Sequence, residues 1–237
     1  MREIVVDTRE RLAVEFVRRF ERQSADAIFA RGRFSIAIAG GSVARTFLPA
    51  LAAATVEWPR VDVFWCDERA VPPADPESNY GAAEGILFSR IPGPPAVLHR
   101  MPADTPDLDR AASEYETEMR DTLGRVPVLD LMLIGAGPDG HVCSLFPGHP
   151  ALEERDRLVV SVRGAPKPPP DRLTMTLGVV GAARHVYLGA FGSEKAAMVR
   201  EIVEHDDSPL PAAQALRLNA GAVCLLDDEA ASLLNRA

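Results

Sequence analysis

Short apolar runs and amphipathic stretches alternate along almost the whole chain. Largely apolar runs recur at 34–39 (FSIAIA), 61–66 (VDVFWC), 129–134, 157–162, 185–190 (HVYLGA) and 221–226. Each is too brief for a typical helix and reads as a strand, and LTMTL at 173–177 adds an alternating, strand-like segment. Between them lie helix signals. Asp7 with Glu10 three residues on resembles a capping box, after which Leu12, Ala13, Phe16, Val17 and Phe20 fall on one face against Arg11, Arg18, Arg19 and Arg22. Residues 42–54 are helical in composition apart from Pro49, and Ser78 is placed to cap a helix through Tyr80, Ile86 and Leu87. Asp104 or Thr105 is expected to cap a further helix with Pro106 at its first position. Gly192-Ser193 leads into another with Lys195 in its first turn, and Asp227 or Asp228 is expected to cap a terminal helix. The Pro-rich stretch 91–106 reads as loop, with His99 a loop or short-strand residue lacking a partner. This alternation predicts an α/β fold: a doubly wound, largely parallel, Rossmann-like sheet flanked by helices. With no internal repeat or linker, residues 1–237 are expected to form a single domain; the Pro-rich segment 163–171 is the one plausible division.

Composition narrows the function classes. The net charge of −8 argues against broad nucleic-acid binding, which needs basic surface, although a local Arg and Lys cluster can still hold a small anion. The N-terminal MREIVVDTRERL has no long apolar stretch and no run reaches membrane-spanning length, so the expectation is a cytoplasmic protein without membrane association. Cys66, Cys143 and Cys224 are widely spaced and form no CxxC pair, which fits reduced thiols rather than a disulfide framework or a zinc site. Cys66 and Cys224 lie in apolar runs and read as core; Cys143 is read as packing.

The candidate chemistry gathers where strands end. In DLMLIGAGPDGHVCSLFPG (130–148) an apolar run stops at Gly135, and Gly137, Pro138 and Gly140 make a sharp turn holding Asp139 and His141. Ligands of open α/β sheets bind beyond the carboxyl ends of strands, so His141 is a candidate general base; a loop-stabilising histidine is the alternative. Gly40-Gly41-Ser42 joins a strand to a helix N-terminus, where free N–H groups suit a phosphate, or where the chain simply turns tightly. Asp67-Glu68-Arg69 follows a strand directly, as binding residues or as a salt-bridged loop. Asn79 is either a ligand contact or a capping side chain. The rigid loop 165–170 (APKPPP) precedes Asp171-Arg172 and can position the guanidinium. Lys195, at a helix N-terminus, opposes the dipole and invites an anion.

Five motifs in order, AGGS (39–42), DERAVPPADPESNY (67–80), LIGAGPDGHVCSLFPGHPAL (133–152), KPPPDRLTMT (167–176) and GSEKA (192–196), resemble the 6-phosphogluconolactonase family over nearly the full length. That family is related in fold to glucosamine-6-phosphate deaminase and ribose-5-phosphate isomerase. Two departures stand out: Val43-Ala44 follows Ser42 where the family usually reads GGSTP, and Val142-Cys143 stands where Thr-Ala is usual. The resemblance implies hydrolysis of 6-phospho-D-glucono-1,5-lactone to 6-phosphogluconate, in the oxidative pentose phosphate pathway. It implies His141 as the base that activates water, and Asp139 as the residue that shapes the turn, with Glu68 as the other candidate helper. Gly40, Gly41, Ser42, Arg69, Asn79, Arg172 and Lys195 would bind substrate and phosphate, without metal or cofactor. The expected partner is a small sugar-phosphate lactone, with the chain acting as a monomer or weak homodimer. The alternatives are a sugar-phosphate isomerase or deaminase of the same fold, or a sugar-phosphate sensor; no helix-turn-helix signal or basic run supports the last.

Overall fold

The computed structural model describes residues 3–93 and 97–235. In chain order the elements are β1 (Glu3–Val6), α1 (Arg9–Arg31), β2 (Phe34–Ile38), α2 (Gly41–Leu51), β3 (Val61–Trp65), β4 (Asp67–Arg69), α3 (Asn79–Ala83), β5 (Val97–His99), α4 (Leu108–Leu123) and β6 (Leu131–Gly135). There follow β7 (Val159–Val162), β8 (Arg172–Met175), α5 (Leu177–Ala182), β9 (His185–Ala190), α6 (Ala196–Glu204), α7 (Pro211–Leu218) and β10 (Val223–Leu226). Seven strands form one sheet in the order β1-β10-β9-β6-β2-β3-β5, with every pairing parallel. The expected doubly wound α/β architecture is thus present. A second, antiparallel sheet, β4-β8-β7, lies beyond the carboxyl end of β3.

The continuous apolar runs have a simple cause. All five residues of β2 and all five of β3 are buried, because helices cover both faces of a parallel sheet and no alternation is left to see. From α1, Phe16 meets Tyr187 of β9 edge-on at 5.4 Å and Phe20 meets Phe34 of β2 at 5.3 Å. Such aromatic contacts lock the helix to the centre of the sheet. Among the described residues, no helix is long and apolar enough to cross a membrane.

Several local expectations need correction. Thr8, not Asp7, caps α1: its hydroxyl accepts from Arg11 N, while the Asp7 carboxylate accepts from Thr8 N. Asp107, rather than Asp104 or Thr105, caps α4, so Pro106 lies before the helix. Among the described residues no helix follows Asp227; residues 228–233 form turns, and its carboxylate instead accepts from Gly192 N and Ala230 N. Asp67-Glu68-Arg69 is a strand of the second sheet rather than a loop. The edge strand β1 and the short helices α5 and α7 escape periodicity because each spans eight residues or fewer.

His99 has partners after all. It lies in β5, stacked on Phe64 with ring centroids 4.1 Å apart, and its Nδ1 and Nε2 face Glu118 at 2.6 Å and Asp62 at 3.4 Å. Arg33 in turn donates two bonds of 2.6 Å to Asp62. Burial disfavours the imidazolium, but the two carboxylates outweigh it and hold the His99 pKa above its ordinary value. A raised folded pKa stabilises fully below the unfolded value of about 6.5 and loses that contribution as pH rises through the folded one. His99→Phe should therefore lower Tm by about 2–4 °C near pH 6, for a loss on the order of 1 kcal/mol, with the deficit narrowing as pH rises further. Calorimetry on both proteins from about pH 5.5 to pH 9 checks this; a deficit independent of pH would contradict it.

Candidate active site

The carboxyl ends of four neighbouring strands, β9, β6, β2 and β3, each deliver one segment to a common cleft of about 180 Å³. Behind β2 the chain turns at once into α2, with Gly40 as N-cap and Gly41 at φ 71°. Gly40 is required by close approach: a Cβ there would fall 1.8 Å from Asn79 Oδ1. Gly40, Gly41 and Ser42 all line the cleft, and the first turn of α2 leaves unpaired N–H groups at its mouth. Lys195 reaches the same place after β9, with Nζ 3.4 Å from Ser42 Oγ. Among the described residues this is the side chain's one hydrogen bond, and burial pushes its pKa below that of an ordinary lysine. A buried ammonium with so little compensation suits an incoming anion.

Past β3, the strand period sorts the three charges of β4. Asp67 and Arg69 line the cleft, while Glu68 points the other way, into the start of α3. There the Glu68 carboxylate accepts from Arg69 N, Asn79 N and Tyr80 N, each at 2.8 Å, and from Ser78 Oγ at 3.0 Å. Burial raises its pKa, and the three backbone donors oppose that rise. All its acceptor capacity is used locally, so Glu68 does not assist His141. Asn79 is not the cap of α3, a role filled by Ser78, whose Oγ accepts from Gly81 N; Asn79 Nδ2 instead donates to Asp67 O at 2.9 Å and Oδ1 at 3.2 Å at the cleft wall. Asp67 Oδ2 accepts from Ser144 Oγ at 2.7 Å. Arg69 Nη1 donates to Glu77 O at 2.5 Å, whereas its buried Nε has no partner among the described residues.

Beyond β6, Gly137 N donates to His141 O and Gly140 N to Gly137 O, both at 2.9 Å, which closes a tight turn. His141 Nδ1 lies 2.6 Å from Asp139 Oδ1. The pair occupies the space a side chain at Gly137 would need: a Cβ there would fall 2.1 Å from His141 Cε1 and 2.6 Å from Asp139 Oδ1. The imidazole also leans on the Phe146 ring, 4.6 Å between centroids. Burial holds the His141 pKa below its ordinary value despite Asp139, so the ring is neutral at pH 7. Asp139 is half-buried, which disfavours its charge, yet His141 and Lys167 keep its carboxyl below the usual range. An ionised carboxylate only accepts, so the Nδ1 proton faces Asp139 and Nε2 carries the lone pair.

Arg172, at the start of β8, lines the cleft but is heavily committed. Its Nε donates to Pro169 O at 3.0 Å, Nη2 to Lys167 O at 2.9 Å and Pro168 O at 3.3 Å, and Nη1 to Ser144 Oγ at 3.3 Å. It also lies over the Phe146 ring at 5.3 Å. This guanidinium holds the proline loop against the cleft and has little left for a bidentate ligand. Of the nine residues expected at the site, eight line the cleft: Gly40, Gly41, Ser42, Arg69, Asn79, His141, Arg172 and Lys195. Asp139 stands behind His141. Asp67, named with Arg69 at the end of β3, also lines the cleft, as does Cys143, read as packing and found with a left-handed φ of 52°. Lys167, which donates to Asp139 Oδ1 at 3.1 Å, was not singled out, and its place on the proline loop before Arg172 was the only available signal. Among the described residues no three His, Cys, Asp or Glu side chains gather as a metal site.

Comparison with known proteins agrees with this geometry. The family description for glucosamine-6-phosphate isomerases/6-phosphogluconolactonase matches residues 7–224. The 6-phosphogluconolactonase of Rattus norvegicus is 41% identical over 211 residues, covering 86% of this chain and 81% of the rat protein. That of Streptomyces coelicolor is 38% identical, covering 98% and 94%. Among solved structures, the 6-phosphogluconolactonase from Trypanosoma cruzi superposes with a TM-score of 0.87 at 27% identity, covering 100% and 98%. A monomeric glucosamine-6-phosphate deaminase, at 23% identity and a TM-score of 0.80 over 98% and 99%, shares the fold. This chain belongs to the glucosamine-6-phosphate isomerase/6-phosphogluconolactonase family.

Proposed function

We propose that the chain hydrolyses 6-phospho-D-glucono-1,5-lactone to 6-phospho-D-gluconate, with His141 as general base. One observation carries the mechanism: an imidazole anchored through Nδ1 by Asp139 shares a cleft with Arg69, Lys195 and the Gly40–Ser42 turn. A δ-lactone is already activated, so the reaction needs little more than a positioned base and charge stabilisation. His141 Nε2 takes a proton from water as its oxygen attacks C1. Negative charge develops on the carbonyl oxygen, and the ring oxygen then leaves as the C5 hydroxyl, taking the proton back from His141. A base of this kind contributes roughly 10²–10⁴-fold, and cationic or N–H donors near the oxyanion add to it. The phosphate, remote from C1, is held by Lys195, Arg69 and the N-terminus of α2, and its binding energy orients the ring. The enzyme is a single-domain cytoplasmic protein acting as a monomer or weak homodimer; one continuous core beneath both sheets supports the single domain.

A coupled assay of the phosphorylated lactone, corrected for spontaneous hydrolysis, tests the activity, and ammonia release from glucosamine 6-phosphate tests the deaminase alternative. His141→Gln should lower kcat by about 10²–10⁴-fold while product still binds; turnover at the wild-type level would remove His141 from the role. Because the His141 pKa lies below 6.5 and the neutral form is the base, the acid limb of kcat/KM should fall below that pH. Lys195→Met should raise KM for the phosphorylated lactone at least tenfold and scarcely affect an unphosphorylated lactone. Equal losses on both would contradict phosphate binding at that end of the cleft. Gly137→Ala should fold but displace His141, with kcat reduced by roughly the amount seen for His141→Gln.

A further inference from the structure

We infer that Lys167, on the proline loop between β7 and β8, is a positioning residue that ties this loop to Asp139 and so sets the orientation of the His141 imidazole. The inference rests on His141 being the base. Lys167 Nζ donates to Asp139 Oδ1 at 3.1 Å, the same oxygen that His141 Nδ1 approaches at 2.6 Å. The main chain at Lys167 is in turn fixed from β8. Pro168, Pro169 and Pro170 have no N–H groups, and the carbonyls of Lys167, Pro168 and Pro169 converge on the Arg172 guanidinium. Ala165 N closes the loop onto Pro170 O at 2.8 Å. The loop thus delivers one ammonium to the carboxylate behind the imidazole, and β4–β8 pairing places the guanidinium that holds it.

Two consequences follow from one shared oxygen. Lys167 gives the Asp139 carboxyl a second partner besides His141, so the acceptor that orients Nδ1–H is restrained against rotation. Its positive charge also competes with an imidazolium for the same anion and thereby favours the neutral base. The other charged groups facing His141 are Asp67, which favours the imidazolium, and the cleft cations Arg69, Arg172 and Lys195. The Lys167 side chain is 40% exposed, so the pair adds little to global stability, and its loss should leave the fold intact.

The test is Lys167→Met and Lys167→Arg, measured as pH profiles of kcat/KM and as the titration of His141 by nitrogen-15 NMR in the free enzyme. Lys167→Met should move the acid limb and the His141 midpoint to higher pH. The resulting loss of kcat/KM is roughly 3- to 10-fold near pH 5.5 and narrows above about pH 8 to the smaller, pH-independent fall in kcat left by a less firmly oriented imidazole. Lys167→Arg should restore the wild-type profile. A wild-type pH profile and His141 midpoint in Lys167→Met would overturn the inference. So would a pH-independent rise in KM for the phosphorylated lactone alone, which would make Lys167 a substrate ligand. If His141→Gln retains turnover the base assignment itself fails; if it does not, an unshifted Lys167→Met profile removes only this residue's role.

Discussion

Four parallel strands side by side, all ending on one edge of the sheet, are the constraint on which the site depends. In the order β9-β6-β2-β3 each strand releases its chain at the same level. Four segments, with Ser42 and Lys195 153 residues apart in sequence, therefore meet without any of them being long. Between β6 and β2 the winding reverses, from β2 outward to β3 and β5 on one side, and from β6 to β9 and β10 on the other. Crossovers leaving in opposite directions open a crevice at such a point, and the Gly40–Ser42 and Gly135–His141 turns form its two lips. Glycine is needed where these lips approach other groups. At Gly40 the space belongs to Asn79, and at Gly137 to His141 and Asp139.

Charge is arranged in opposition to the global balance. A chain of net charge −8 places Arg69, Arg172 and Lys195 around one small cleft, with Asp67 the acidic side chain in its lining. The cations are not equivalent. Among the described residues the Lys195 ammonium has a single weak hydrogen bond, and its pKa is depressed by burial, so it gains most from an anion. Arg172 has four acceptors already and works as scaffold. Two carboxylates, Glu68 and Asp139, then support the machinery from behind in different ways. Glu68 gathers backbone N–H groups at the start of α3 and so fixes Asn79. Asp139 gathers two side chains, His141 and Lys167, and so fixes a tautomer.

Much of this was legible before any coordinates. The strands β2, β3, β6 and β9 show as short apolar runs because both sheet faces are buried, and the glycines and charges that follow mark their carboxyl ends. Seen that way, His141, Lys195 and the Gly40–Ser42 turn are all strand-end residues, which is why they could be named. His99 could not be paired, because its partners come from β3 and α4, 37 and 19 residues away. The caps of α1 and α4 were misplaced by one to three residues, since several Asp and Thr side chains compete for each cap and backbone dihedrals choose among them.

By itself, then, the order of residues determined the class of fold, the strand ends that carry chemistry and the family, because periodicity, glycine turns and motif order are local properties. Tertiary structure alone decided which oxygen His141 bonds, that Glu68 faces away from it, that Arg172 is spent on three loop carbonyls, and that Lys167 reaches Asp139. Those outcomes depend on side-chain direction and on distances between segments far apart in the chain. Only the packed sheets set either one.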